Sequence, residues 1–458
     1  MERRFEVRRH EILREAQVKP QVTKGMLDRL EKFTKPFVMS LGRSERKEHA
    51  RVYIAGLLSD LQRKNVESIA YRHNQQRVNL QRFIGLARWA HQPLLKELAY
   101  QVGRELGQDD GVIVFDPSGH KKCGHDSVGV QRQWLGRLGK IDNGQVGVYM
   151  GYASRKEHAL VDVRLYLSKE WAKDKVRRKK CGVPKEIRHQ TRHELALEML
   201  QSNGRHLPHK WIAGDDEMGR SSRFRRDLRV LGQQYLLAVP SNTSIRDLGS
   251  PPPAYGGRGK PPKQPFQGVE AWADSLDKKA WLRINVPDGE RGPLVLEIAK
   301  TRVLARTERS YGQVAEELLV VTRSLDENGK MKCDYYLSNA PAQTPLKELA
   351  RVIKAEHRVE DCLKRAKSEA GLSDYEVRTW AAWYHHQTLS LIATWFLIRE
   401  TRRGKKIYSG PDRTSGSYSA GSVVAARVRS QISGLVDALC ETKKRTSRAG
   451  SLSSLQTA

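Results

Sequence analysis

The sequence has no apolar run long enough to cross a membrane. Its most apolar stretch, LSLIATWFLI at 389–398, is much shorter than the roughly 20 residues that a spanning helix needs, so it predicts a buried helix. The first residues, MERRFEVRRHEILRE, contain no apolar segment, which argues against a secretory signal. Both absences favour a protein that works inside the cell and not in its membrane.

Cysteine is scarce, and a phosphate-binding loop is missing. The five cysteines are odd in number and include no CxxC pair, a usage typical of a reducing compartment, so we expect a cytoplasmic protein. They are Cys123, Cys181, Cys333, Cys362 and Cys440. No stretch matches G-x-x-x-x-G-K-[ST], so nothing in the sequence supports hydrolysis of ATP or GTP.

Negative charge is the third shortage. Asp and Glu number 52 against 82 Lys and Arg, which gives a formal charge of +30 and a pI of about 10.0. Such an excess predicts a polyanionic partner, for which nucleic acid is the first choice and an anionic membrane surface the alternative. At 458 residues the chain has room for about two to four domains.

The first hundred residues predict helices. Segments 25–38, 49–64 and 79–103 carry apolar residues at helical spacing within a basic background. We therefore expect residues 1–105 to form a helical, basic domain that contacts DNA. A solvated basic face would have the same composition.

After residue 106 the pattern changes to strands and helices in the order β-β-β-α-β-α-β, which predicts an α/β fold with a mixed sheet flanked by helices. The segments are, in order, 112–115, 144–153, 159–167, 192–204, 210–215, 219–231 and 235–239. We assign 106–245 to the first part of this core.

A Pro/Gly linker at 250–268 interrupts this order, and strands predicted at 280–286, 293–306 and 316–324 follow it. These strands make 246–332 a β-rich insertion. The second part of the core spans 333–403. It consists of a strand at 333–339 and two long helices at 345–371 and 374–403. The last segment, 404–458, is a basic, Ser-rich tail.

Acidic residues follow two of the predicted strands, and a third lies on the first long helix. Asp116 comes directly after the apolar run VIVF, Asp215 follows the strand WIAG, and Glu360 lies in EHRVEDCLKRAK. Acids at the carboxyl ends of strands and on a packed helix can converge at one edge of a sheet, where carboxylate oxygens suit Mg²⁺ or Mn²⁺. Two such ions would promote displacement at phosphorus. Each acid also has an ordinary interpretation: a turn cap for Asp116, a helix N-cap for Asp215 and a solvated face for Glu360.

These blocks resemble insertion-sequence DDE transposases over about 40–400. The matching stretches are FDPSGHKKCGHDSVGVQRQWLGRLGKIDNGQVGV, WIAGDDEMGR, YYLSNAP and HRVEDCLKRAKSEAGLSDYEVRTWAAWYHH. The resemblance implies a ribonuclease H-like catalytic core in which Asp116, Asp215 and Glu360 are the catalytic, metal-binding acids.

One branch of that family carries a Tyr-x2-Arg-x3-Glu-x6-Lys signature, which this chain keeps only in part. Lys367 fits the final lysine, but Ile353 and Glu356 stand at the tyrosine and arginine positions. Lys367 is therefore expected to meet a phosphate, and Arg358 is expected to take over part of the DNA contact. A register on Glu369 is the alternative, and it loses the lysine.

Further cations and aromatic residues have competing interpretations. Lys121 and Lys122, just beyond Asp116, are expected to bind DNA. His120, Cys123 and His125 look loosely like zinc ligands, but no second pair follows them.

Two pairs of ring-bearing side chains elsewhere in the chain are better explained by packing. His385 and His386 adjoin an apolar run and predict packed histidines. Trp272 and Trp281 in the insertion are core residues or, as in relatives, a platform for a flipped base.

The resemblance implies a DNA transposase that binds terminal inverted repeats, cleaves the element ends with the help of two Mg²⁺ or Mn²⁺ ions, and transfers the strand into target DNA. Its partner would be double-stranded DNA, and joining two ends in one event implies a homodimer. The alternatives are a domesticated DNA-binding protein without catalysis and a stand-alone Mg²⁺-dependent nuclease.

Overall fold

A computed structural model describes residues 24–408, except for 60, 261, 287–293, 308–314 and 326–330. Most of the predicted tail at 404–458 lies outside the described residues. None of the described helices combines the length and the apolarity that crossing a membrane demands.

The chain begins with helices, as the spacing of its apolar residues predicts. In the first helix Met26, Leu30, Phe33 and Phe37 recur every three or four residues, and all four are buried. The predicted segment 79–103 is broken into two helices, and a proline occupies the first turn of the second. The segment 49–64 is helical only as far as Leu57, and Asn65 caps a separate helix after it through the amide of Ser68. The helices are α1 Met26–Met39, α2 Ser44–Leu57, α3 Val66–Arg72, α4 Arg77–Gly85 and α5 Gln92–Leu106.

The first half of the sheet has the predicted order of strands with one addition. Its strands are β1 Val112–Lys121, β2 Gln131–Leu135, β3 Lys140–Ala153, β4 His158–Leu165, β5 Trp211–Gly214 and β6 Gln234–Val239. β3 runs antiparallel to both β1 and β4, whereas β5 lies parallel to β1 and β6. β2, which was not predicted, forms a hairpin with β3.

The later strands continue this sheet beyond β6, the first of them just before the Pro/Gly linker. They are β7 Ser244–Asp247, β8 Gln267–Gly268, β9 Leu282–Val286, β10 Leu294–Ala305, β11 Glu317–Leu325 and β12 Met331–Ser338. Within the described residues the order along the sheet is β2-β3-β1-β5-β6-β12-β11-β10-β7-β8, with β4 on β3 and β9 on β10. The mixed sheet predicted from sequence is thus confirmed, and the division of the chain into domains stays a prediction.

Helices flank the sheet and complete the fold. They are α6 Lys169–Lys173, α7 Lys175–Lys180, α8 Arg192–Asn203, α9 Asp216–Arg220, α10 Ser222–Val230, α11 Val269–Asp274, α12 Leu346–Glu369 and α13 Trp380–Tyr408. α12 lies against β3 so closely that a Cβ on Gly151 would stand 2.6 Å from a methyl of Val359. Only glycine allows this approach, which fixes the helix over the face of β1 and β3.

Two apolar cores hold these parts. The larger one joins α1–α5 to the first half of the sheet and to α12 and α13, and the stretch at 389–398 is buried in it as predicted. The smaller core fills the space between α11 and β7, β10, β11 and β12, and it includes Trp272 and Trp281.

Candidate active site

Asp116 lies within β1 and not after its end. The strand was predicted to stop at Phe115, but it pairs with β3 through Lys121, and Asp116 stands opposite Tyr149. The predicted bounds were wrong because the partner strand supplies hydrogen bonds that no local pattern reveals. The turn-cap interpretation of Asp116 is therefore wrong as well.

Asp215 follows β5 at the position next to Asp116. β1 and β5 are parallel and pair Phe115 with Gly214, so the two aspartates are the next residues of two adjacent strands. A carboxylate oxygen of Asp215 accepts a hydrogen bond from the Met218 amide at 3.1 Å and caps α9. The N-cap interpretation is thus confirmed, and a second oxygen is still available to a ligand.

α12 brings two glutamates and a lysine to the same place. Glu356, Glu360 and Lys367 are spaced by one and two turns, so they share one face of the helix. Lys367 donates a hydrogen bond to the Ser118 hydroxyl at 2.7 Å, which places this face of α12 over β1. Glu360 is half exposed (52 %) and forms an ion pair with Lys364 at 3.1 Å.

The pKa values of the two aspartates lie above their usual range. Burial raises the pKa of Asp116 to about 6, with Glu360 and Glu217 adding to the rise and Lys367 opposing it. Burial and the neighbouring Asp116 raise the pKa of Asp215 well above its usual range. The site therefore concentrates negative charge, and a proton or a cation would relieve the repulsion.

Glu356 belongs to this cluster more closely than its sequence position suggested. Burial raises its pKa well above the usual range, and Asp215 and Asp116 are the next largest causes. The structure thus brings Glu356 together with both aspartates, whereas Glu360 affects Asp116 from the exposed edge. The signal in the sequence was its position one turn before Glu360, in the slot where relatives carry arginine. The assignment of Glu360 as third ligand stays a prediction.

The donor set fits a hard divalent cation, since it consists of carboxylate oxygens. Among the described residues, however, no three His, Cys, Asp or Glu side chains are already arranged to hold a metal ion. Binding would require the side chains to move toward each other. Asp116 contributes to the raised pKa of both Asp215 and Glu356, so these carboxylates are close enough to interact.

The cations predicted to bind DNA have different surroundings. Lys121 is exposed (62 %) and lies 3.4 Å from Asp142. Lys122 donates to the Tyr375 carbonyl at 2.9 Å and lies over that ring, and burial lowers its pKa to about 8. Arg358 donates to the Ser154 carbonyl at 3.1 Å.

The remaining candidates are packed side chains. His120 bonds to Tyr149 and Ser373 and is buried, which argues against zinc. His385 bonds to the carbonyls of Ile84 and Trp89 and is buried, and His386 is likewise buried and bonded, so the packed interpretation is confirmed.

The two tryptophans of the insertion are also packed side chains. Trp272 is buried and donates to Asp247 at 3.2 Å, while Trp281 is buried under Arg323. These contacts favour the core interpretation of both rings.

Three comparisons relate the chain to known proteins. The family described as DDE superfamily endonuclease matches residues 36–293, more than half of the chain and a range that contains both aspartates. A probable transposase for insertion sequence element IS701 from Microchaete diplosiphon is 28% identical over 336 residues, which are 70% of this chain and 74% of the relative. The cryo-EM structure of a piggyBac transposase synaptic complex with hairpin DNA covers 88% of this chain and 73% of that one, at 10% identity and a TM-score of 0.39, too low to carry an argument. The chain therefore belongs to the DDE superfamily endonucleases, and the resemblance to insertion-sequence DDE transposases is confirmed.

Proposed function

We propose that this protein is the DNA transposase of an insertion sequence, which binds the terminal inverted repeats, cleaves the element ends and transfers the strands into target DNA. One observation carries the proposal: Asp116 and Asp215 follow paired residues of adjacent parallel strands, and α12 sets Glu360 and Lys367 beside them. The order β4-β3-β1-β5-β6 with β3 antiparallel supports a ribonuclease H-like core.

Asp116, Asp215 and Glu360 are proposed to hold the metal. Two bound Mg²⁺ or Mn²⁺ ions would activate the attacking oxygen and stabilise the leaving oxygen. Asp215 keeps α9 in place with one oxygen and offers the other. Glu360 would exchange its ion pair with Lys364 for the ligand.

Glu356 sets this chain apart from relatives with arginine at its position. Its carboxyl adds a fourth acid to the cluster and lacks the positive charge with which an arginine binds phosphate. Lys367, which reaches Ser118 on β1, is therefore proposed to make the phosphate contact beside the cleaved bond. Glu356 competes with Glu360 for the role of third ligand.

Double-stranded DNA is the proposed partner, bound by the helical N-terminal segment and by basic surface near the site. Of the predicted cations, Lys121 is exposed, Arg358 would add to its contact with Ser154, and Lys122 would have to leave Tyr375. A homodimer would hold two ends in the cytoplasm, where the element's DNA lies.

Cleavage of a labelled duplex that carries the element end, with Mg²⁺, tests the proposal. Asp116→Asn, Asp215→Asn and Glu360→Gln should each reduce cleavage by at least about a hundredfold, since each removes a metal ligand, and should leave duplex binding largely intact. Asp361→Asn is the matched control, because Asp361 is the next residue on α12 and is equally exposed (53 %).

Three outcomes would change the assignment. Near wild-type cleavage by Glu360→Gln together with an inactive Glu356→Gln would make Glu356 the third ligand, and an inactive Glu369→Gln would favour the other register. Duplex binding without cleavage by the wild type would support the domesticated DNA-binding protein. Cleavage without strand transfer would support a stand-alone nuclease.

A further inference from the structure

The hairpin of β2 and β3 carries an exposed apolar tip. Trp134 and Ile141 stand opposite each other across the two strands and are 56% and 57% exposed. Leu138, in the connection between the strands, is 39% exposed. A tryptophan so open to water at the end of a hairpin suggests a surface that another molecule covers.

The opposite face of the hairpin is firmly packed, so the tip is held rigidly. Leu135 is buried (2%) and lies against two glycines, where a Cβ on Gly119 or Gly144 would come within 2.9 Å of its methyls. Gln133 donates to the Gly144 carbonyl at 2.8 Å. The exposure of Trp134 is therefore set by the alternation of the strand.

The tip shares its sheet face with Asp116. β3 is paired regularly with β1 and β2 from Ile141 to Tyr149, and Tyr149 stands opposite Asp116. Alternate residues of a strand point to the same side, so Ile141 and Trp134 lie on the side of Asp116. α12 covers this side at Ser118, and Tyr375 covers it at Gln145 through a hydrogen bond of 2.8 Å. Asn143, between Gln145 and Ile141 on this face, donates to the carbonyls of Lys122 and Gly124, and beyond it Ile141 and Trp134 are exposed.

Charge at the tip favours a polyanion. Arg132, two residues before Trp134 and on the same face, is exposed. On the opposite face of the hairpin Lys121 and Lys140, which pair with Gly144 and Leu135, share the single carboxylate of Asp142 at 3.4 Å and 3.7 Å. A second copy of this chain, with a formal charge of +30, would be repelled by this surface. Duplex DNA would be attracted.

We propose that the tip, meaning Arg132, Trp134, Leu138 and Ile141, seats its apolar side chains against the bases in the minor groove of the duplex that leads to the cleaved bond. Apolar side chains serve as such wedges in other DNA-binding proteins. Ile141 is eight residues from Tyr149 along β3, which at about 3.4 Å per residue is at most about 27 Å. At about 3.4 Å per base pair, the tip meets the duplex about eight base pairs from the cleaved phosphate.

The inference rests on the proposed transposase function, and duplex length tests it separately. Full-length wild type, Trp134→Ala and Trp134→Phe are titrated with element-end duplexes that extend about 5 or about 12 base pairs from the cleavage site on either side, lengths that bracket the expected eight. Trp134→Ala should weaken binding of a long duplex about tenfold, Trp134→Phe should restore most of it, and the short duplexes should bind all three alike. Leu325→Ala, an equally exposed apolar change on β11 (67%), is the control and should change nothing.

Failure of the proposed transposase function and failure of the role of the tip would give different results. If the wild type bound no element-end duplex, the proposed function itself would be wrong. If the wild type bound and cleaved but Trp134→Ala matched it at every length, only the role of the tip would be overturned. A wild type that is dimeric without DNA but becomes monomeric on Trp134→Ala would overturn it too, by making a second copy the occupant.

Discussion

Glu317 and Asp116 are both carboxylates close to the sheet, but their neighbours differ in sign. Glu317 at the start of β11 is buried and accepts hydrogen bonds from Arg225 at 2.9 Å and from the Tyr235 hydroxyl at 2.6 Å, with Arg229 at 3.0 Å. Asp116 has Glu360 and Glu217 among its strongest electrostatic neighbours, with Lys367 as the main opposing charge.

The difference indicates which acid serves the fold and which serves a ligand. A buried carboxylate that joins elements is surrounded by donors, as Glu317 is by residues of α10 and β6. Carboxylates that raise one another's pKa weaken the fold at neutral pH, and they are retained where they are used for chemistry. The comparison therefore predicts opposite effects when each acid is neutralised.

The largest effect is expected for Glu317→Gln. The variant leaves Arg225, which is buried, without its carboxylate partner, and we expect a loss of about 3–5 kcal/mol in the free energy of unfolding. Urea unfolding measures it. Glu316→Gln, an exposed neighbour paired with Arg302, is the control and should change stability by less than about 0.5 kcal/mol. Equal values for the two variants would contradict the structural role of Glu317.

Asp116→Asn should instead raise the free energy of unfolding of the metal-free protein. The pKa of Asp116 is raised from 3.8 to about 6, so its protonated form stabilises the fold below pH 4 and that stability is lost as the pH rises through 6. At pH 8 the variant should therefore be more stable than the wild type by at most about 3 kcal/mol, and at pH 4 the two should agree. Unfolding in EDTA at both pH values checks this, and a destabilised variant at pH 8 would refute it.

Metal binding should depend on the same proton. Because the carboxylate must be ionised to bind a cation, the affinity for Mn²⁺ should fall at least about tenfold per pH unit below the pKa of about 6, and the raised pKa of Asp215 should extend the pH dependence above it. Titration calorimetry with Mn²⁺ at pH 5, 6 and 8 measures the effect. Asp361→Asn should keep this profile, and a flat profile in the wild type would separate Asp116 from the metal.

The smallest effect is expected at Glu356. Glu356→Arg replaces a carboxylate beside Asp215 and Asp116 by a cation, so binding of the cleaved end should be unchanged or a few-fold tighter at low salt. Lys367→Ala removes the hydrogen bond to Ser118 and a positive charge, and it should lower cleavage about tenfold, more than Glu356→Ala does. If Glu356→Ala abolished cleavage while still folded, Glu356 would belong among the metal ligands.

Local patterns predicted much of the fold because they reflect burial along one element. The stretch at 389–398 is a buried helix, and the helix predicted at 345–371 extends over Leu346–Glu369. VIVF and WIAG lie in adjacent parallel strands, and each run is followed directly by an aspartate. The order of these elements was enough to predict a mixed sheet flanked by helices.

Contacts between distant segments could not be predicted in this way. The position of Glu356 among the aspartates depends on where α12 crosses β3, which Gly151 and Val359 determine. Lys122 looked like a DNA contact, yet its ammonium lies over the ring of Tyr375, 253 residues away. Neither pairing leaves a trace in local sequence spacing.

The sequence by itself determined most of the helices and strands, the excess of positive charge and the family, because each follows from residue types and their order. Tertiary structure decided that β7–β12 extend the sheet beyond β6, that the β2–β3 hairpin exposes Trp134 on the face of Asp116, and that four carboxylates meet at one edge. The physical reason is that strand pairing and electrostatic repulsion act between residues that are close in space, whatever their separation along the chain.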